Sequence, residues 1–361
     1  MYCLLFCIKI YDIIYNMFQS KNMNHYIFAL VLIVGASYVG NKFKNYFVEN
    51  KEVEYDMIKE YLLNDSPLYG FNKPKLWIHS KYELNARKWI DFQSRNNNNL
   101  NQPYIHLTIQ SIIDHCSHSF HICLIDDETF SKLIPGWDIQ LSTLADPMKS
   151  NLRTIGLMKI MHIYGGMVVP DSFLCTKNLF ELYEENIAST KPFMCESLNR
   201  SVSMNDKKRP VFVPDFYFMG SVKRDPTLGL IIDCLIENNQ NGHFTNECKF
   251  IGESQRKCMD LIDGGKVNIV DGKAIGIKTV KNQPILLEDL VEEKYLDIAG
   301  DSVGIYIPRD EILVRTKYQW FAVLSKSELL QSNMAIVKYI KASQVDASEH
   351  VNNTMKSVTS I

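Results

Sequence analysis

Apolar side chains in this chain fall into short runs whose spacing switches between a strand period and a helix period, and the switching predicts an architecture. Residues 73–79 read as a first β-strand, with Leu76, Trp77 and Ile78 set between Pro74 and His79. Residues 85–95 have helical character and 96–101 form an asparagine-rich polar loop. A second helix is predicted over 103–115, with proline in the first turn where a missing N–H costs nothing. Strand 120–125, a short helix at 128–133, a long apolar helix at 151–164 and a strand at 167–169 follow, then a helix at 177–186 and a strand at 192–195. An aromatic strand at 211–219 precedes helices at 226–237 and 245–261 and strand-like pieces at 266–270 and 274–280. The alternating stretch 302–324 is expected to return to the sheet. Strands separated by helices imply an α/β fold with a mainly parallel, helix-covered sheet.

In such a sheet the strand carboxyl ends share one edge, and ligands bind there. The apolar helix stops at Gly165-Gly166 and leads into a strand that ends at Pro170-Asp171-Ser172, so Asp171 arrives at that edge. Asp126 and Asp127, after strand 120–125, are expected to join it and to meet ribose hydroxyls or a metal. The competing role for Asp127 is to cap the helix that begins near Glu128. His79 closes the first strand, with Trp77 on the same face by period-two alternation; either a nucleotide pocket or simple core packing would use both. Arg153, on the apolar helix, suits bidentate phosphate contact or an ion pair. Asp215, preceding Phe216-Tyr217-Phe218, is a candidate catalytic base or acceptor contact. Pro170-Asp171-Ser172 also reads as an ordinary turn.

Composition narrows the function class. With 361 residues, 46% of them hydrophobic, the chain can bury a large core. A net charge of −2 and scattered basic residues exclude a general nucleic-acid-binding surface. The amino-terminal 48 residues differ from the rest: the uninterrupted apolar run 26–40 predicts a single membrane anchor, short of the roughly 20 residues a helix needs to cross but extended by Phe43, Tyr46 and Phe47 beside Lys42 and Lys44. A secretory signal is the other reading, and an initiator at Met23 would leave an anchor of conventional form. Residues 49–72 are expected to form a stem, 73–341 the globular body and 342–361 a disordered tail. Nine scattered cysteines without Cys-x-x-Cys spacing predict buried thiols, and the cluster His115, Cys116, His118, His121, Cys123 lacks the spacing of a zinc site. Asn199 and Asn352 open glycosylation acceptor patterns.

The frame Ile163-Tyr164-Gly165-Gly166-Met167-Val168-Val169 resembles the DXD sugar-binding glycosyltransferase family, which includes capsular-polysaccharide and yeast-type mannosyl-elongating enzymes. Trp77-Ile-His79, Asn101-Gln-Pro-Tyr104, Leu124-Ile-Asp-Asp127 and Ser172-Phe-Leu-Cys175 also resemble an offshoot of that family found in large DNA viruses. The resemblance implies a nucleotide-sugar transferase fold of type A, a nucleotide-sugar donor, a glycan or glycoprotein acceptor, and a divalent cation, Mn or Mg. It places Trp77, His79, Asp126, Asp127, Arg153, Gly165 and Gly166 around the donor, with Asp171 as metal ligand and catalytic carboxylate. It further implies that the polar segment 200–210 closes over the donor. Two departures stand out. Pro170 and Ser172 occupy the positions of the two family aspartates, and Arg153 sits one turn before the family arginine, which would fall near Leu157. The sequence therefore carries two readings, a membrane-anchored glycosyltransferase and a catalytically inactive glycan-binding or structural descendant.

Overall fold

Strand β1, Lys75–His79, has no polar face between its ends because it is covered on both sides and paired along both edges. It runs parallel to β2, His121–Ile125, and to β3, Gly166–Pro170. With β5 (Phe193–Glu196), β6 (Pro214–Ser221) and β7 (Asn268–Val270) these form a six-stranded sheet of order β2-β1-β3-β6-β5-β7. Only β6 opposes the common direction, pairing antiparallel with β3 and β5. The computed structural model of the chain describes residues 73–80, 102–197, 212–241 and 247–344. The expected anchor, stem, 85–95 helix, 200–210 segment and both glycosylation acceptors lie outside them. Among the described residues no helix is long and apolar enough to cross a membrane.

The helices are α1 (Tyr104–Cys116), α2 (Thr129–Leu133), α3 (Met148–Tyr164), α4 (Phe180–Ile187), α5 (Pro226–Asn241) and α6 (Glu247–Asp263). Helix α3 is apolar nearly all round because it is buried between the sheet and other helices. Its Ile155, Leu157, Met158 and Ile160 pack with Trp77 and Val168 of the sheet and with Leu228, Ile231 and Leu235 of α5. Gly165 and Gly166 take φ of +72° and +102°, and a Cβ on Gly166 would lie 2.1 Å from the Lys75 carbonyl oxygen. Glycine is needed there so that β1 and β3 can pair from their first residues.

The 302–324 stretch is a correction. It does not return to the main sheet: β8, Gly304–Tyr306, pairs with β4, Phe173–Cys175, in a separate two-stranded sheet. Short helices α8 (Arg309–Val314) and α9 (Gln319–Val323) follow, after α7 at Leu287–Val291. Alternation alone could not tell a main-sheet strand from a two-stranded ribbon. Residues 274–280, expected as a strand, form turns closed by one bridge between Lys278 and Pro284. The globular body also runs beyond the expected boundary at 341: the chain is helical through residue 344, and buried Ser343 donates to the Cys175 carbonyl at 2.7 Å.

Candidate functional site

Parallel strands end together. The register pairs His79 with both Ile125 and Pro170, so His79, Asp126, Asp127 and Asp171 all leave the sheet at its carboxyl edge. Strand β6 runs the other way and begins at that edge, which adds Asp215, while Glu196 at the end of β5 pairs with Pro214. Helices α1 and α3 precede β2 and β3, so their amino-terminal turns, carrying Tyr104, Asn151 and Arg153, start from the same edge. Fold topology thus assembles residues that lie as far apart in the chain as His79 and Asp215.

At the β1–β2 end, Arg153 forks onto Asp127: its Nε donates to Oδ1 at 2.8 Å and its Nη2 to Oδ2 at 2.6 Å. Nε2 of His79 lies 3.1 Å from the same Oδ1, and its ring stacks on Phe130 at 5.4 Å. Arg153 is fully buried and Asp127 retains about a fifth of its side-chain exposure. Burial alone would raise the Asp127 carboxyl, but hydrogen bonds and charge from His79 and Arg153 outweigh it and hold the group well below the usual carboxylate range. Asp127 does not cap the following helix. Asp126 does, accepting from the N–H groups of Glu128 and Thr129 at 3.1 and 2.9 Å and from the Thr129 hydroxyl.

At the β3–β6 end, buried Asp171 sits in the turn between β3 and β4 and bonds Nη1 of Arg309 at 2.5 Å. Thr108 of α1 donates to the Asp171 carbonyl oxygen, which fixes the turn. The remaining guanidinium donors of Arg309 have no acceptor among the described residues. Asp215 accepts from the Tyr217 N–H at 2.8 Å and from the Tyr306 hydroxyl. Burial pushes its carboxyl up to about 6, against an ordinary value of 3.8, with the nearby Asp310 charge adding to the rise and the two hydrogen bonds opposing it. The folded state therefore holds this proton to higher pH than the unfolded state does. Stability is expected to fall as pH rises from about 4 to about 6, by about 3 kcal/mol in total. Asp215→Asn should abolish that slope and raise stability at pH 7, as urea titrations at pH 4, 5, 6 and 7 would show; an unchanged slope would refute the assignment.

Four polar side chains near this edge are buried yet have no hydrogen-bond partner among the described residues: the Ser80 hydroxyl, both amide atoms of Gln102, the Tyr104 hydroxyl and the Asn151 carbonyl oxygen. Tyr104 lies within electrostatic reach of Arg309, Asp171 and Asp310. Buried polar groups in folded proteins are otherwise paired, and leaving one unpaired costs about 1–3 kcal/mol. Ser80 follows β1, Gln102 and Tyr104 open α1, and Asn151 lies in the first turn of α3, so all four belong to the carboxyl edge. Unpaired polar groups gathered at one edge are what a polar ligand would satisfy.

Three expected donor residues lie elsewhere. Trp77 is fully buried in the sheet, and its indole N–H donates to the Gly165 carbonyl at 2.9 Å. Gly165 and Gly166 stand at the amino edge of β3, where Leu76 pairs with Met167, four residues of strand away from His79 and Pro170. Their role is close backbone approach. The three carboxylates expected near a divalent cation each have another partner: Asp171 faces Arg309, Asp127 is forked by Arg153 and Asp126 accepts from backbone N–H groups. Among the described residues no three His, Cys, Asp or Glu gather as metal ligands. In the 115–123 cluster, His115 lies 3.0 Å from the Ser343 hydroxyl and Cys116 lies 3.8 Å from Cys175. Sequence reasoning missed Arg309, Tyr306, Asp310 and Tyr104. Arg309 stands 138 positions from Asp171, and its only local signal is a helix start after Pro308.

No family model and no curated protein sequence matches the chain. Among solved structures, the glycosyltransferase GlyE of Streptococcus pneumoniae TIGR4 is similar at 12% identity and a TM-score of 0.40, covering 79% of this chain and 64% of GlyE. The galactosyltransferase LgtC, in complex with donor and acceptor sugar analogs, is similar at 6% identity and a TM-score of 0.37, covering 75% and 95%. The PaToxG glycosyltransferase is similar at 13% identity and a TM-score of 0.33, covering 53% and 70%. The chain thus spans less than two thirds of the length of GlyE. At these identities and scores none of the three transfers a residue role to this chain.

Proposed function

We propose that the chain is a glycosyltransferase of the type A fold, a divergent relative of the DXD family and its viral offshoot, that binds a nucleotide-sugar donor at the carboxyl edge without a divalent cation. The observation that supports this most is the set of unpaired buried polar groups around Ser80, Tyr104 and Asn151, at the edge of a mainly parallel sheet. Arg309 meets the diphosphate with the donors that Asp171 leaves unused, replacing a metal as the stabiliser of departing charge. Asp215, raised to about 6, is mostly ionised at pH 7 and accepts the proton of an acceptor hydroxyl as that oxygen bonds the anomeric carbon and the diphosphate leaves. The apolar run 26–40 anchors the enzyme in a membrane.

Titration calorimetry of the full chain with UDP- and GDP-sugars, with manganese and with a chelator, tests this. Binding of one donor class with equal affinity in chelator is expected. Binding only with manganese would defeat the metal-free reading. No heat with any donor would favour the second reading, a glycan-binding or structural module, which the two arginine-neutralised aspartates Asp127 and Asp171 favour.

A further inference from the structure

The other edge of the sheet holds a cavity of about 330 Å³, lined by Lys73, Pro74, Lys75, Tyr164, Gly165, Gly166, Tyr183, Val222 and Lys223. It lies at the start of β1 and β3, four strand steps, or about 13 Å, from His79 and Pro170. Its volume falls within the range of small-molecule sites.

Charge is its distinctive feature. Three of its lining residues are lysines and none is acidic. None of the three has an ion-pair partner among the described residues; Lys73 Nζ donates to the Ser117 carbonyl at 3.4 Å. Three like charges in one concavity repel each other, and concave walls concentrate their field, so the site gains most from an anion. The field reaches the neighbouring His121, whose imidazole is depressed first by burial and then by Lys75 and Lys73. The glycine pair brings backbone rather than side chains to the cavity wall, since a Cβ on Gly165 would lie 2.9 Å from the Lys223 backbone nitrogen.

We propose that this cavity is a second ligand site, separate from the carboxyl edge, that takes a small anion with two or more negative charges of the phosphate-ester or pyrophosphate class. Lysines near the last turns of α1 and α3 could instead only offset the helix dipoles, and that role predicts a different result. The test is calorimetry and thermal melting of the full chain with inorganic pyrophosphate, with orthophosphate, and with sodium chloride at matched ionic strength. Pyrophosphate is expected to occupy a lysine-dependent site, more tightly than orthophosphate does, and to raise the melting temperature where chloride does not. Lys223→Gln should weaken binding by about tenfold, and Lys73→Gln/Lys223→Gln by more, while Lys223→Arg retains it. Pyrophosphate held at the carboxyl edge, where Arg309 is proposed to meet the donor diphosphate, is told apart by Arg309→Lys: the binding event that the glutamine variants lose should persist in it. Equal binding by the glutamine variants, or loss in Arg309→Lys of the same binding event that they lose, would overturn the proposal. So would a glutamine variant that melts lower while wild type shows no response to pyrophosphate, the signature of a purely structural role. Failure of nucleotide-sugar binding leaves this site unaffected.

Discussion

Asp127→Asn is expected to lower the unfolding free energy by about 3–5 kcal/mol, the cost of breaking a buried ion pair by removing one of its charges. Arg153 is fully buried and directs both Nε and Nη2 to the Asp127 carboxylate, with His79 on the same oxygen. An amide keeps the shape but supplies only one acceptor and no charge. Arg153→Met in the Asp127→Asn background should restore part of the loss, because a buried ion pair is weak support once both partners are replaced by packing. The pH dependence has a definite sign. The folded state holds this carboxyl below its ordinary value of 3.8, so the stability it contributes is present above that value and is lost as pH falls below it. Urea denaturation of the two variants at pH 7 checks the magnitude, and a loss below 1 kcal/mol for Asp127→Asn would mean that Arg153 finds water or another acceptor.

Arg309→Met should be similarly damaging, by about 3–5 kcal/mol, because it strands Asp171 as a buried carboxylate between Tyr104 and Tyr306. The informative variant is Arg309→Met/Asp171→Asn. Removing both charges should recover most of the stability, whereas donor binding should stay lost because nothing then faces the diphosphate. A double variant that binds donor as wild type does would remove Arg309 from the proposed mechanism while leaving its structural role intact. Melting temperature and donor titration on the same samples separate the two roles.

Much of the first half of the fold could be read from local pattern. Strands at 75–79 and 121–125 and helices at 104–116 and 148–164 lie within a few residues of expectation, because each has an apolar pattern bounded at one end by a proline, a glycine or an aspartate. The arrival of Asp126, Asp127 and Asp171 at one edge was likewise legible, since it needs only that their strands be parallel neighbours. Gly165 and Gly166 were legible as a backbone requirement and misleading as donor contacts: a motif shows that glycine is needed, and only the register shows which end of the strand needs it.

By itself the sequence determined the layered α/β order and which acids follow which strands, because helix and strand periods and turn residues act within a few positions of one another. The tertiary structure alone decided what those acids do. Asp127 became the counter-ion of Arg153, Asp171 the partner of an arginine 138 positions away, and Asp215 a carboxyl raised to about 6. Charge state depends on burial and on the nearest opposite charge, and both are properties of packing between distant segments rather than of any local run of residues.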